Sequence, residues 1–175
     1  MTIDATYNNA MPPYAFVPGG PWPHPTSSPE GHSAACKPEP TEPIQGDHWA
    51  VCGAYLRGVA LFNAGYYWEA HESWEALWHA HGRRGPTADL LKGLIKLAAA
   101  GVKVRQRQRH GVVTHAQRAA AQFAIARDQG GRNQLGLDLD HWVATAQAIA
   151  AAPPDDPAPP GARVSRVFIF DIELN

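Results

Sequence analysis

Proline is confined almost entirely to two stretches of this chain. Ten of its 16 prolines lie in residues 12–43 and five lie in residues 153–160, so that Pro86 is the only one in between. Proline fixes φ and has no N–H group, and a segment rich in proline therefore forms neither a regular helix nor a central strand. Any regular fold must be built by the stretch between the two clusters.

That stretch is long enough for one domain of ordinary size. We expect a folded helical domain at residues 46–152. A proline-rich arm precedes it at residues 1–45, and a proline-rich linker with a tail follows it at residues 153–175.

The arm carries apolar side chains that a plain linker rarely has, namely Tyr14, Phe16, Val17 and Trp22. Its composition is typical of a disordered linker, because it holds too little apolar surface to fold alone. Its apolar residues favour a second interpretation, in which residues 14–32 lie ordered against the helical domain. Both interpretations stay open at the level of the sequence.

Charge and cysteine content limit the classes of function. The formal net charge is −1 and the isoelectric point is about 6.7, which gives no electrostatic reason to expect nucleic acid or an anionic membrane as a partner. No signal peptide is visible, and the apolar stretch at residues 94–104 is too short and too charged to span a bilayer. Cys36 and Cys52 form no disulfide framework or metal motif, so we expect a cytoplasmic protein.

Five stretches between the proline clusters show helical periodicity with boundary signals. Their approximate limits are residues 47–62, 66–81, 88–108, 113–129 and 139–151. Asp47, Thr87 and Asp138 are the predicted N-caps, and Gly82 and the pair His110-Gly111 are predicted stop signals. Short connections imply antiparallel neighbours. The predicted fold class is all-α: an antiparallel bundle of about five helices with a proline-rich N-terminal arm and an extended C-terminal tail.

The tail has a spacing typical of a strand. Phe168, Phe170, Ile172 and Leu174 alternate with more polar or exposed positions, and this period of two favours extended backbone. A lone strand needs a partner, so the tail either docks as an extended arm or pairs with another chain. The second alternative leaves a homodimer open.

Residues 61–78 combine a turn signal with a helix that is dense in aromatic rings and charged groups. When the helix is wound at about 100° per residue, Tyr67, Trp74 and Trp78 fall within one apolar arc. Large rings on one face bury area and can also form a groove. We predict an aromatic groove at these three residues.

His71, Glu72 and Glu75 fall at the rim of that arc. His71 and Glu75 are four residues apart on one helix face, the spacing at which two side chains bind one metal ion. If the arm folds over the helix, His24 and His32 would complete a ligand set. Glu72 would then act as the general base on a metal-bound water.

The rim also suits a purely structural role. Glu72 and Glu75 would then be solvated or would pair with Arg83, Arg84 or Lys92 on neighbouring elements, and the imidazole would be a hydrogen-bonded boundary group. The spacing alone does not decide between the two roles.

Several segments together resemble the DUF309 family of small bacterial and archaeal helical proteins. These are residues 62–75 with Trp78, residues 92–100, and the arm segments 14–19, 23–26 and 29–33. The resemblance implies an all-α bundle of unestablished activity, provisionally labelled a metal-dependent hydrolase. It places the family motif on Phe62, Asn63, Gly65, Glu69, His71, Glu72, Glu75, Trp78 and Gly93. Lys92 and Lys96 stand where family members commonly carry glutamine, which changes the polarity expected of the site.

Two functions therefore stay open. The first is a metal-dependent hydrolase in which His71 and Glu75, with His24 or His32, hold zinc, manganese or iron. The second is a non-catalytic interaction module whose aromatic groove binds its own arm or a partner peptide. No organic cofactor is indicated, and the substrate or peptide is not identified by the sequence.

A basic run follows in the third predicted helix, at Lys103, Arg105, Arg107, Arg109 and His110. Cations near the C-terminal end of a helix suit its dipole and usually form a solvated face. Binding of a phosphate group or a nucleic acid is the alternative for this run, and the overall charge disfavours nucleic acid.

Overall fold

The computed structural model of the chain describes residues 10–36 and 40–175. The elements in chain order are a 3-10 turn (His48–Val51), α1 (Gly53–Asn63), α2 (Tyr67–Ala80), α3 (Pro86–Arg105), α4 (Arg109–Gly130), β1 (Asn133–Gln134), β2 (Leu137–Asp138) and α5 (Leu139–Ala151). The predicted all-α fold with five helices is confirmed. None of the helices in the described part has the length and apolar character needed to cross a membrane.

Glycines end the first two helices where the sequence places them. Gly65 and Gly82 have φ of 89° and 64°, the left-handed conformation that favours glycine after a helix. The residue after each glycine donates a hydrogen bond back to the helix. Tyr66 N donates to Leu61 O at 2.9 Å, and Arg83 N donates to Trp78 O at 3.1 Å.

The fifth helix begins and ends where predicted. The side chain of Asp138 accepts hydrogen bonds from the backbone N–H groups of Asp140 and His141, as an N-cap does. The other two predicted caps are wrong. The Asp47 side chain makes no capping bond, and Cys52 takes an extended conformation that separates the 3-10 turn from α1. α3 is preceded by Gly85 and starts at Pro86, so Thr87 lies inside it.

α3 ends earlier than predicted, and the pair His110-Gly111 lies inside α4. Arg107 has a φ of 57° and occupies the position that Gly65 and Gly82 occupy after the first two helices. Its N–H donates to Val104 O at 2.8 Å, and the next N–H, of Gln108, donates to Lys103 O at 2.9 Å. An arginine gives no signal for a left-handed residue, and this is why the sequence missed the boundary.

α3 lies at the centre of the bundle and packs against α2 on one side and α4 on the other. Helix glycines let aromatic rings approach the backbone at these contacts. A Cβ on Gly93 would stand 2.5 Å from the Phe123 ring, and one on Gly101 would stand 2.6 Å from the Tyr67 ring. Gly58 gives the Trp74 ring the same access to α1. The close packing of the bundle therefore depends on glycine at these three positions, because any side chain there would collide with a ring.

A two-stranded hairpin between α4 and α5 was not predicted. Its strands pair Asn133 with Asp138 and Gln134 with Leu137. Leu135 in the turn has a φ of 50°, and its carbonyl accepts a hydrogen bond from Tyr55 Oη at 2.8 Å. A tertiary hydrogen bond thus holds a leucine in a conformation that its own preferences disfavour.

The tail forms no strand, but its alternating pattern is confirmed in its burial. Phe168 and Ile172 are buried, whereas Ile169 and Asp171 are exposed. The Asn63 side chain takes the place of a neighbouring strand, because its Oδ1 accepts from Ile172 N at 2.8 Å and its Nδ2 donates to Ile172 O at 3.0 Å. The tail docks on its own chain.

We expect Gly93→Ala to destabilise the protein by about 1–3 kcal/mol, because the new methyl group would collide with the Phe123 ring. The matched control is Gly111→Ala. It faces the flexible stem of Lys103 and should be neutral or stabilising by up to about 1 kcal/mol, since alanine is the better helix former. Urea unfolding followed by circular dichroism measures both. Equal stability of the two variants would contradict the packing role of Gly93.

Candidate functional site

A buried carboxylate in the first turn of α2 joins the arm to the helical domain. Glu69 is 6% exposed, and its Oε1 accepts a hydrogen bond from Phe16 N at 2.9 Å and lies 3.1 Å from His32 Nε2. Oε2 is buried and has no hydrogen-bond partner among the described residues. Burial raises the pKa of Glu69, and the hydrogen bonds from Phe16 and His32 oppose that rise.

The arm is folded on itself where it reaches Glu69. Tyr14 Oη donates to Pro23 O at 2.9 Å and accepts from His32 N at 3.3 Å. Ser33 N donates to Pro25 O at 2.9 Å, which closes the loop between the two histidine segments. Phe16 and His32 of this folded segment both contact α2 through Glu69.

Trp68 lies in contact with both the arm and the predicted metal rim. Its ring centroid is 4.9 Å from that of Phe16, 5.7 Å from that of His24 and 5.2 Å from that of His71, each in an edge-on arrangement. Its Nε1 is buried without a partner in the described part of the chain. Trp68 thus provides an apolar surface for the arm beside the Glu69 hydrogen bonds.

The structure does bring together one predicted pair of metal ligands. His71 Nε2 lies 3.5 Å from Glu75 Oε2, and His71 Nδ1 lies 3.1 Å from Trp68 O. A backbone carbonyl at Nδ1 orients the imidazole as it does in many metal sites. Both side chains are partly exposed, at 22% for His71 and 44% for Glu75.

The other predicted ligands do not join this pair. His32 uses Nε2 on Glu69 and Nδ1 on the Ser33 hydroxyl at 2.8 Å. His24 Nδ1 accepts from the N–H of the turn that follows it, at Thr26 and Ser27. No cluster of three or more histidine, cysteine, aspartate or glutamate side chains suited to a metal exists among the described residues. The four-ligand set does not fit a metal ion in this arrangement.

The predicted catalytic base, Glu72, is half-buried on α2. It makes no hydrogen bond or ion pair of its own with any residue that the structure describes. The ion pairs considered for Glu72 and Glu75 with Arg83, Arg84 or Lys92 are likewise not formed among the described residues. Arg83 instead contacts His79 Nδ1 through its Nε at 3.0 Å.

The predicted aromatic groove is filled rather than open. Tyr67 and Trp74 are 2% and 0% exposed, so neither can line an accessible groove. Tyr67 Oη accepts from Val167 N of the tail at 2.9 Å, and Trp74 Nε1 donates to Tyr55 O at 3.3 Å. Only Trp78 reaches the surface, where cations of two neighbouring segments lie over its ring.

The turn between α1 and α2 holds both ends of the described chain. Tyr66 Oη donates to Pro12 O at 2.9 Å, while Asn63 pairs with the tail. A Cβ on Gly65 would stand 2.6 Å from Ser165 O, so the tail passes directly over this glycine. The resemblance places Asn63, Gly65 and Glu69 in the family motif, but the sequence alone gives neither these residues nor the neighbouring Tyr66 a role.

Several cations of α3 and α4 lie near one another, and one of them, Lys96, interacts with Glu75. Burial lowers the pKa of Lys96, and the positive charges of Arg118 and Lys92 lower it further. The negative charge of Glu75 acts in the opposite direction. The pKa of His115 is lowered to about 4, chiefly by burial and to a smaller extent by the positive charges of Lys96, Lys103 and Arg118. Burial is thus the main reason that the imidazole of His115 stays neutral, and Lys96, one of the two lysines that depart from the family pattern, adds to it.

We expect His115 to make the protein less stable in acid. Because its pKa is lower in the folded protein, the unfolded chain takes up a proton first as the pH falls from 6.5 towards about 4. The loss should be about 1–2 kcal/mol, reduced from the full effect because the group is partly solvated. His115→Gln should flatten the fall in unfolding free energy over this range, with the exposed His110→Gln as control. A fall of unchanged size in His115→Gln would contradict the assignment.

We expect purified protein to hold less than one equivalent of zinc, manganese or iron, because the two ligands in place are fewer than a catalytic site uses. Elemental analysis of wild type beside His71→Ala tests this. One equivalent in wild type that His71→Ala removes would instead restore the predicted metal site.

Comparisons with known proteins agree with the motif. Residues 55–115 match the model of the DUF309 family, described as a domain of unknown function. Neither the curated proteins nor the solved structures gave a match. The matched segment runs from the first turn of α1 into α4 and includes Asn63, Glu69, His71 and Gly93. Residues 55–115 of this chain are therefore a DUF309 domain.

Proposed function

We propose that this domain is a non-catalytic interaction module that binds extended peptide segments around the α1–α2 turn. In this chain its own arm and tail occupy the two binding surfaces. The observation that carries the proposal is the pair of contacts at Glu69, where one buried oxygen receives both the Phe16 N–H and the His32 imidazole.

The motif side chains bind mainly to the backbone of the docked segments. Asn63 contacts both the N–H and the carbonyl of Ile172, as a neighbouring strand would. Tyr66 and Glu69 contact the Pro12 carbonyl and the Phe16 N–H. Backbone hydrogen bonds give affinity for extended peptides with little dependence on their sequence.

Aromatic side chains would supply the selectivity. In the arm, Phe16 packs on Trp68. In the tail, Phe168 stacks on Phe62 with ring centroids 5.6 Å apart and contacts Tyr67 edge-on at 5.4 Å. Both docked segments present an aromatic ring together with a backbone N–H group that the domain binds. A partner peptide with the same two groups could bind in the same way. We therefore infer a partner of this kind when the arm is displaced.

The hydrolase label of the family has less support in this chain. His71 and Glu75 lie together, but no third ligand joins them in the described residues. Glu72 is available on the same helix, and without a metal site no catalytic step follows from its position.

An arm-exchange experiment tests the proposal. A protease site engineered between Cys36 and Pro40 would convert the arm into a separate fragment after folding, and a labelled peptide of residues 10–36 would then compete with it. We expect the fragment to copurify and the labelled peptide to replace it. Glu69→Ala should weaken peptide binding at least tenfold, about 1.4 kcal/mol, because the Phe16 N–H loses its acceptor. Glu72→Ala, on the same helix but without a hydrogen bond or ion pair to the described part of the arm, should bind as wild type does.

Equal binding by the two alanine variants would contradict the role of Glu69. A folded, cleaved protein that releases the fragment and does not bind the peptide would contradict the module itself. If cleavage unfolds the domain, the rate of protease cutting within the arm of the uncut variants gives the same comparison.

A further inference from the structure

A cavity of about 380 Å³ lies where the arm, the tail and the end of α3 meet. Residues 17–21 of the arm and residues 159–162 of the tail form two of its walls, and residues 105–108 form the third. Prolines contribute apolar surface from both walls. Its volume is within the range of small-molecule sites. It uses neither Glu69 nor Asn63, so it is separate from the proposed peptide surfaces.

A buried arginine in this cavity has one donor to spare. Arg105 is 5% exposed; its Nε donates to Asp156 Oδ2 at 2.9 Å and its Nη2 donates to Ala162 O at 2.8 Å. Its Nη1 is buried and has no partner in the described part of the chain. Buried polar groups normally have partners, and each exception asks for an explanation.

Asp156 cannot take up the remaining donor without losing other contacts. Its Oδ1 already accepts from the Ser165 hydroxyl at 2.6 Å and from Ala158 N at 3.0 Å. The carboxylate therefore orients Arg105 within the cavity wall, and Nη1 stays free for another acceptor. A guanidinium fixed in this way is suited to bind an oxyanion.

A second arginine lines the same cavity in a strained conformation. Arg107 is the residue that ends α3 with φ at 57°, and its Nη2 lies 3.3 Å from Ala158 O. Strain at a residue other than glycine is often found at binding sites, where the side chain is needed. α4 begins just after it, and Gln108 makes no side-chain capping bond, so the N–H groups of its first turn add positive potential.

We infer that this cavity binds a small organic molecule with one oxyanion head, a phosphate or a carboxylate. Arg105 Nη1 and Arg107 hold the head, and the proline walls cover an apolar body. Asp156 lines this cavity as well, and its carboxylate is already held by Arg105 and Ser165. Asp155 lies on a smaller adjoining cavity of about 200 Å³. The bound molecule contacts arm and tail together and stabilises both in place.

Titration of the full chain with phenyl phosphate and with benzoate, followed by NMR at low salt, tests the inference. We expect the amide signals of Gly19, Gly20 and Gln106 to shift with saturation for at least one probe. Arg107→Gln should raise the Kd at least fivefold. Arg127→Gln removes an arginine that pairs with Asp128 and Asp140 elsewhere and should leave the Kd unchanged.

The two probes distinguish the head groups, and inorganic phosphate added alone tests the apolar body. Binding of inorganic phosphate as tight as that of phenyl phosphate would overturn the assignment of an organic ligand. No saturable shift with either probe, or an equal Kd in Arg107→Gln and wild type, would overturn the site. Because the unaltered protein is titrated first, the result does not depend on whether any variant folds.

Discussion

Proline-rich segments form no regular helix or sheet, and the structure depends on how the helical domain satisfies the backbone groups that their turns leave unpaired. Buried N–H and carbonyl groups need partners, and the arm and the tail obtain them partly from turns and partly from side chains of the helical domain. Glu69, Tyr66 and Asn63 supply these partners. The carboxylate of Glu69 is the most consequential, because its loss would leave the Phe16 N–H without an acceptor, at a cost of about 1–3 kcal/mol.

The position of these side chains follows from one turn. Gly65 reverses the chain between α1 and α2, and the turn is narrow enough for arm and tail to approach it from two sides. The polar groups lie on the last residue of α1 and the first turn of α2, where helix ends already leave backbone groups unpaired. The family motif at Asn63 and Glu69 therefore has a structural reason in this chain, separate from the predicted metal rim at His71, Glu72 and Glu75.

The sequence predicts the elements whose signals are local. Asp138 caps α5, Gly65 and Gly82 end two helices, and the two-residue period of the tail predicts which of its side chains are buried. It fails where tertiary contacts override local preference. Arg107 and Leu135 have a positive φ, and because neither is a glycine the sequence gives no signal for this conformation. The partner of His32 depends on the path of the arm, which the helix pattern does not encode. The sequence therefore predicts a metal ion as the partner of His32, whereas the structure has Glu69 there.

The arm and the tail also contact each other. Ala15 N donates to Arg163 O at 2.7 Å, Trp22 Nε1 donates to Gly161 O at 3.2 Å, and the Arg163 guanidinium lies over the Trp22 ring. A ribosome makes the arm first, yet these contacts cannot form until residues 161–163 have emerged. During synthesis the arm can reach α2 early, but Trp22 lacks its tail contacts until almost the whole chain has been made.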